Sequence, residues 1–453
     1  MAKLRTQLFA LLGGALFAAS SVFAQDSGPL IDLLVKKGML NSQEAEDLRA
    51  ELIKDSSAGI ISTISGGKST VGLSLSGRLQ IQYVGLGAEI DGAAAHPVST
   101  QHFLLRRIYF GAKADLGHGF SSTFNYDFAN TSFDAAFITW RQDDTLAVDV
   151  GFRKVPFGLE EWFTSSGSLK AIERSPATRY FVESNNGRRL GAGSYRTGVF
   201  VGGKLSSGVF YNVAVTNPER DENGTVAGAT TSPTGYTGGV QSAGNNTNNN
   251  LSYWGNLGYT GKAAGDLVYT FSGSVGLLPD QGGPSNTGLG KGDNLTVYNA
   301  FADFTKGDFD LQFEYFGSNN QHGVSATRSA KGSAYSIQPA YKFSDKIEGV
   351  VRYTKVDSDG RGVNVSDGIR SAPSGGTMDK MDEWYAGFSY FFRGNDVKWQ
   401  LGYIYGTSKD TVTGTESATS PACWRESSAP RPSTTAVCET SWPLCVHGRR
   451  VSP

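Results

Sequence analysis

Cysteine is nearly absent from this chain. There are three in 453 residues, and Cys423, Cys438 and Cys445 all fall near the C-terminal end. That excludes a disulfide scaffold, which needs many evenly matched cysteines. Charged residues make up 18% of the chain and hydrophobic ones 39%, both below ordinary globular usage. No apolar run of 18 or more residues occurs beyond the first 24 positions, so bundled transmembrane helices are excluded. The formal net charge of −1 points to no charged partner and gives no reason to expect nucleic acid. What is plentiful is glycine, with 58 residues, and aromatic side chains at 11%. The aromatics argue against disorder. A large all-β protein with many turns, or a multidomain secreted one, remains.

The N-terminus reads as an export signal over 1–24. Lys3 and Arg5 precede a short apolar stretch from Leu8 to Phe17, and Val22-Phe23-Ala24 supplies a cleavage site before Gln25. Residues 25–66 read as a periplasmic helical segment and linker. Leu30, Leu33 and Leu34 form a stripe that stops at Gly38, and Asn41 stands three residues before Glu44 as an N-cap would. The segment is too short to bury a core alone.

From Leu73 the chain alternates. Leu73, Leu75, Leu79, Ile81 and Tyr83 interleave with Ser74, Ser76, Arg78, Gln80 and Gln82. The pattern recurs in fifteen segments between 73 and 406. Turns such as Lys306-Gly307-Asp308 and Ser344-Asp345-Lys346 join alternate pairs. The connections between those pairs are mostly long and polar: 88–100, 156–193, 217–250, 278–293, 318–331 and 357–381. Short turns at one end and long loops at the other predict a transmembrane antiparallel β-barrel over 67–406. Such a barrel has an even strand number, so sixteen are expected, with the closing strand lost or altered. Pro421 to Pro453 holds every cysteine, Trp424, Trp442 and five of the 15 prolines, a composition that does not read as a central strand. Residues 407–453 are therefore expected to be an anomalous tail, as a frameshift would produce.

The third long connection differs from the others. It opens Val155-Pro156-Phe157-Gly158-Leu159-Glu160-Glu161-Trp162-Phe163 and continues through Ile172-Glu173-Arg174-Ser175-Pro176. Its apolar anchors predict that it folds into the lumen. Between Gly151 and Leu190, Arg153, Lys154, Lys170, Arg174, Arg179, Arg188 and Arg189 outnumber Glu160, Glu161, Glu173 and Glu183. Arg78, Arg106, Arg107 and Arg141 lie on neighbouring strands. Basic residues in a pore attract anions, and the planar arginine fork suits phosphate. The competing reading is that these cations pair with the loop's own carboxylates. Regular alternation would turn Arg106 and Arg107 to opposite faces, unless a bulge intervenes.

The whole arrangement resembles the phosphate-selective porin O and P family of outer-membrane proteins, across about 28–406. The residues that carry the resemblance are Leu40-Asn41-Ser42-Gln43-Glu44-Ala45-Glu46, Leu75-Ser76-Gly77-Arg78-Leu79-Gln80 and Leu105-Arg106-Arg107-Ile108-Tyr109-Phe110-Gly111. To these add Gly151 to Glu160, Thr164-Ser165-Ser166 and Ile172-Glu173-Arg174-Ser175. The resemblance implies a sixteen-stranded, trimeric channel of the bacterial outer membrane, without a cofactor. It also implies a basic ladder to which Arg78, Arg106, Arg107, Lys170, Arg174 and Arg179 are the best matches. Arg153 and Lys154, at the start of the loop, complete the candidate constriction. The expected partners are small phosphate-like anions, outer-membrane lipid and lipopolysaccharide, and two further copies of the chain.

Two other classes compete with passive anion diffusion, besides a general or sugar-conducting pore. An enzyme would need a constellation that His96, His102, His118, His322 and His447 do not offer by spacing, and Glu160-Glu161 could serve one substrate only from a loop. A structural barrel tethered through its N-terminal helices would use residues 28–55 for attachment.

Overall fold

The computed structural model describes residues 64–65, 70–90, 98–183, 189–218, 250–283, 293–372, 378–411, 416–420 and 437–444. The expected leader and helices lie outside the described residues; of the segment 25–66 only Ile64–Ser65 is described, and it pairs antiparallel with Thr70 and Val71.

Alternation becomes strand wherever it was expected. The first eight strands are β1 (Thr70–Ile90), β2 (Val98–Gly117), β3 (Phe120–Asp127), β4 (Ser132–Arg141), β5 (Ala147–Lys154), β6 (Tyr195–Lys204), β7 (Val209–Thr216) and β8 (Ser252–Ala263). Then follow β9 (Leu267–Leu278), β10 (Leu295–Lys306), β11 (Phe309–Ser325), β12 (Ser333–Ser344), β13 (Ile347–Asp357), β14 (Lys380–Arg393) and β15 (Val397–Lys409). Each pairs antiparallel with the next in sequence. Such a meander leaves no backbone group of an inner strand without a partner, which lipid demands.

Side-chain placement is inverted relative to a soluble protein. Along β9 the small polar Thr270, Ser272 and Ser274 are buried, while Phe271, Val275 and Leu277 are exposed. Phe103 at 76% and Leu257 at 63% exposure show the same outward apolar face. This is the alternation of a lipid-facing barrel wall. Leu257 lies toward the middle of β8, opposite Gly273. Leu257→Arg is expected to destabilise the barrel by about 2–4 kcal/mol, whereas Ser272→Arg, on the inner face, should cost much less. Urea titration of both variants in bilayers would check this.

Three expectations need correction. The connection 318–331 is not an irregular loop. β11 runs on to Ser325 and turns back through the short strand Arg328–Ala330, so the hairpin is extended by its own pairing. The tail is not without strand either. Glu416–Ser420 pairs with Gly406–Lys409 on one side and with Gly87–Ile90 on the other. Val437–Leu444 likewise lies between β15 and β1. Two separate stretches thus occupy the sixteenth position, where the closing strand was expected to be lost or altered. Third, the connection expected at 357–381 to be long and polar carries buried apolar residues. Val363, Val365 and Ile369 are buried, and helix α2 (Val365–Gly368) packs on the third loop.

One irregularity in β2 is decisive for the site. Gln80 of β1 pairs with Arg107, but the next residue, Ile81, pairs with Leu105. Arg106 is the extra residue of a bulge. It therefore escapes the alternation, and both Arg106 and Arg107 are buried.

Candidate constriction site

The third loop, 155–194, is built from two short turns fastened to the barrel wall. Gly158, at φ 93°, takes a left-handed conformation that a side chain would strain, and it opens the π-helical turn Leu159–Phe163. Ser175 then caps α1 (Pro176–Phe181), its hydroxyl accepting from the Thr178 amide at 3.2 Å. Phe157, Tyr180, Phe181 and Val182 are fully buried, and the Phe181 ring stacks on Phe316 of β11. Phe157, among the apolar anchors read in the sequence, thus helps to seat the loop inside, together with Tyr180, Phe181 and Val182, which that reading did not single out.

Charged side chains complete the seating. Glu314 of β11 accepts the Leu159 amide at 2.5 Å. Glu160 accepts the Ser175 amide at 2.6 Å and the Thr178 hydroxyl at 2.8 Å. Arg352 of β13 reaches Glu160 at 3.2 Å, Glu383 of β14 at 3.0 Å and the Glu173 carbonyl at 2.9 Å. One buried arginine thereby ties two points of the loop, Glu160 and Glu173, to two strands.

Around this anchor lies a dense basic cluster. Glu173 is held by Arg106 through two hydrogen bonds, the one to Oε2 at 3.0 Å, and approached by Arg370 at 3.5 Å and Arg107 at 4.0 Å. Arg107 also donates to Gln80 at 2.6 Å. Glu183 is met by Arg370 at 3.0 Å, Arg189 at 3.1 Å, Arg179 at 3.6 Å and Arg174 at 3.8 Å. Glu161 takes Arg174 at 2.6 Å and Lys154 at 3.0 Å. Six arginines and Lys154 share three carboxylates. Arg179 is buried, and among the described residues its Nε and Nη1 find no hydrogen-bond acceptor.

The carboxylates respond to this field. Burial alone would raise the Glu173 carboxyl, but Arg106, Arg370 and Arg107 hold it well below the usual carboxylate range. Glu183 is likewise driven down, Arg370, Arg179, Arg174 and Arg189 outweighing its burial. Burial and the like charge of Arg106 push Arg370 down to about 10, which leaves it charged at neutral pH. Depressed carboxyls contribute stability above their unfolded value and lose it only as pH falls through the lower, folded one. The loop is therefore expected to stay docked from pH 7 down to about 4.5, the ordinary glutamate range, and to loosen only in stronger acid. Single-channel current noise recorded across that range would check it.

Of the eight residues singled out in the sequence, the structure gathers Arg106, Arg107, Arg174, Arg179 and Lys154. The other three stand apart. Arg78 donates to Ser166 at 2.5 Å and Ser165 at 3.3 Å, and its guanidinium lies over the Tyr109 ring. Lys170 pairs with Glu348 at 3.3 Å and Asp310 at 3.6 Å. Arg153 pairs with Asp149 and rests on the Phe137 and Phe200 rings. Pairing with the loop's own carboxylates is thus real for much of the set. Sequence reasoning missed Arg352, Arg370, Glu314 and Glu383, whose only signal was a charged residue in an inward register or in a loop read as surface.

The family model for phosphate-selective porin O and P matches residues 74–424. The chain belongs to that family. It is an outer-membrane porin, and its barrel and inward third loop are those of a channel. Among solved structures it is similar to an anion-selective porin from Comamonas acidovorans, at 12% identity and TM-score 0.51, over 82% of this chain and 99% of that one. It is also similar to the outer membrane channel DcaP of Acinetobacter baumannii, at 12% identity and TM-score 0.49, over 84% of this chain and 100% of that one. The trimer form of OmpT, an outer membrane protein of Vibrio cholerae, aligns at 11% identity and TM-score 0.46, over 82% and 99% of the two chains. At such identities the likeness speaks for the fold alone. No curated protein matches the chain.

Proposed function

We propose that this porin passes small anions, phosphate-like oxyanions foremost, down their gradient through the constriction at the third loop. The observation that carries the reading is the surplus of positive charge there: Arg179 is buried, its Nε stands 3.6 Å from Glu183, and among the described residues neither its Nε nor its Nη1 finds a hydrogen-bond acceptor. A buried donor left unpaired is costly, and an oxyanion would satisfy it. The fixed cations also repel other cations from the narrowest part.

The chain is proposed to reach the outer membrane through a cleaved leader at 1–24. Its barrel, about 67–406, would assemble as a homotrimer beside lipopolysaccharide. A second reading, a general pore without anion preference, is favoured by the pairing of Arg153, Lys154 and Lys170 with Asp149, Glu161 and Glu348. Reversal potential under a potassium chloride gradient separates the two. Anion preference, with chloride current blocked by added phosphate, is the expected result; cation preference would sink the proposal. Arg179→Gln is expected to weaken phosphate block by about ten- to a hundredfold, because one charge-assisted donor set is worth roughly 1.5–3 kcal/mol.

A further inference from the structure

Residues 358–372 form a strap that packs on the third loop. The Tyr180 hydroxyl donates to the Gly362 carbonyl at 3.2 Å, and the Ser408 hydroxyl to the Val363 carbonyl at 3.4 Å. Val363 and Met378 exchange backbone hydrogen bonds at 2.7 and 2.9 Å, which fixes the base of the strap. Asn364 and Asp367 form a reciprocal cap on α2. The strap is thus held by its own contacts, and Arg370 projects from it onto Glu173 and Glu183.

We infer that Arg370 is a specificity-determining residue of the channel, and that its strap forms the second half of the constriction. The inference rests on the anion reading above and names a residue outside the third loop that acts in it. Three observations support the assignment. Arg370 is 29% exposed, whereas the other five arginines of the cluster are 2–15% exposed, so it is the one most open to solvent. Its two carboxylates are already served without it, Glu173 by Arg106 and Glu183 by Arg174, Arg179 and Arg189. Its charge is therefore in excess of what the fold requires. Its Nε lies 3.5 Å from Glu173 and makes no hydrogen bond among the described residues, so Glu173 holds it only loosely.

A solute within about 4 Å of a unit charge in water gains roughly a factor of five in occupancy. Arg370→Gln should shift the anion-to-cation permeability ratio toward cations by about that factor. Arg370→Lys, which keeps the charge, should retain most of the wild-type ratio. Both are read from reversal potentials in planar bilayers, beside the wild-type porin. A wild-type ratio in Arg370→Gln would overturn the proposal. So would equal losses in the glutamine and lysine variants, because the role would then be the shape of the strap and not its charge. The shift is measured relative to the wild type. A wild-type channel that prefers cations would overturn the anion reading, while Arg370 is judged by its own displacement.

Discussion

Arg352→Met is expected to destabilise the folded porin by about 3–5 kcal/mol and to release the third loop from the wall. The side chain is almost fully buried and binds Glu160, Glu383 and the Glu173 carbonyl at once. Its methylene stem could be replaced by methionine with little change of volume. Its charge could not, since two carboxylates would be left buried without a counter-ion. The loss would appear as a lower temperature for conversion of the folded, detergent-resistant form, and as noisier single-channel current. Adding Glu160→Gln and Glu383→Gln should recover most of the stability. The glutamine carbonyl can still accept from the Ser175 amide and the Thr178 hydroxyl, and neither former partner of Arg352 keeps a buried charge. If the single variant were as stable as the wild type, Arg352 would not be what anchors the loop.

That anchor also shows where the sequence stops being informative. The fifteen strands were legible because a lipid-facing wall imposes period-2 alternation on every one of them. The third loop was legible because Val155, Phe157, Leu159 and Ile172 are out of place in a solvated connection; Tyr180 and Phe181, equally buried, were not singled out. Its acid and base content predicted pairing or anion binding, and the structure contains the material for both. The partners from elsewhere were not legible. Glu314, Arg352 and Glu383 stand more than 100 residues from the loop, and alternation shows only that they face inward, not what they meet. Arg370 was hidden for another reason. The connection 357–381 reads as polar surface, because Gly360, Gly362 and Ser366 mask the buried Val363, Val365 and Ile369. The Arg106 bulge is a third kind of case. Alternation allowed one of two adjacent arginines inside, and a single inserted residue admits both. Inside lipid the alternative is an arginine facing hydrocarbon, so the irregularity is stabilising at that position.

The second large effect is expected at Glu183. Four arginines converge on this one carboxylate. Glu183→Ala removes the counter-charge and leaves Arg174, Arg179, Arg189 and Arg370 to repel one another. A loss of about 3–5 kcal/mol is expected when a buried pair is broken in this way. Small oxyanions should reverse much of it. Phosphate can enter the vacated space and take the same donors, stabilising the variant by RT ln(1 + [L]/Kd), or roughly 2.7 kcal/mol at a hundredfold excess over Kd. The wild type should respond less, since Glu183 already fills that position. Thermal conversion of both proteins, with and without phosphate at constant ionic strength, separates two meanings of the cluster. Rescue by phosphate beyond that given by chloride would mean that Glu183 holds the place of a solute, and that the arginines are arranged to bind an oxyanion. Equal rescue by every salt would mean only that the charges are screened. The cluster would then be a device for folding the loop, and the anion proposal would lose its main support.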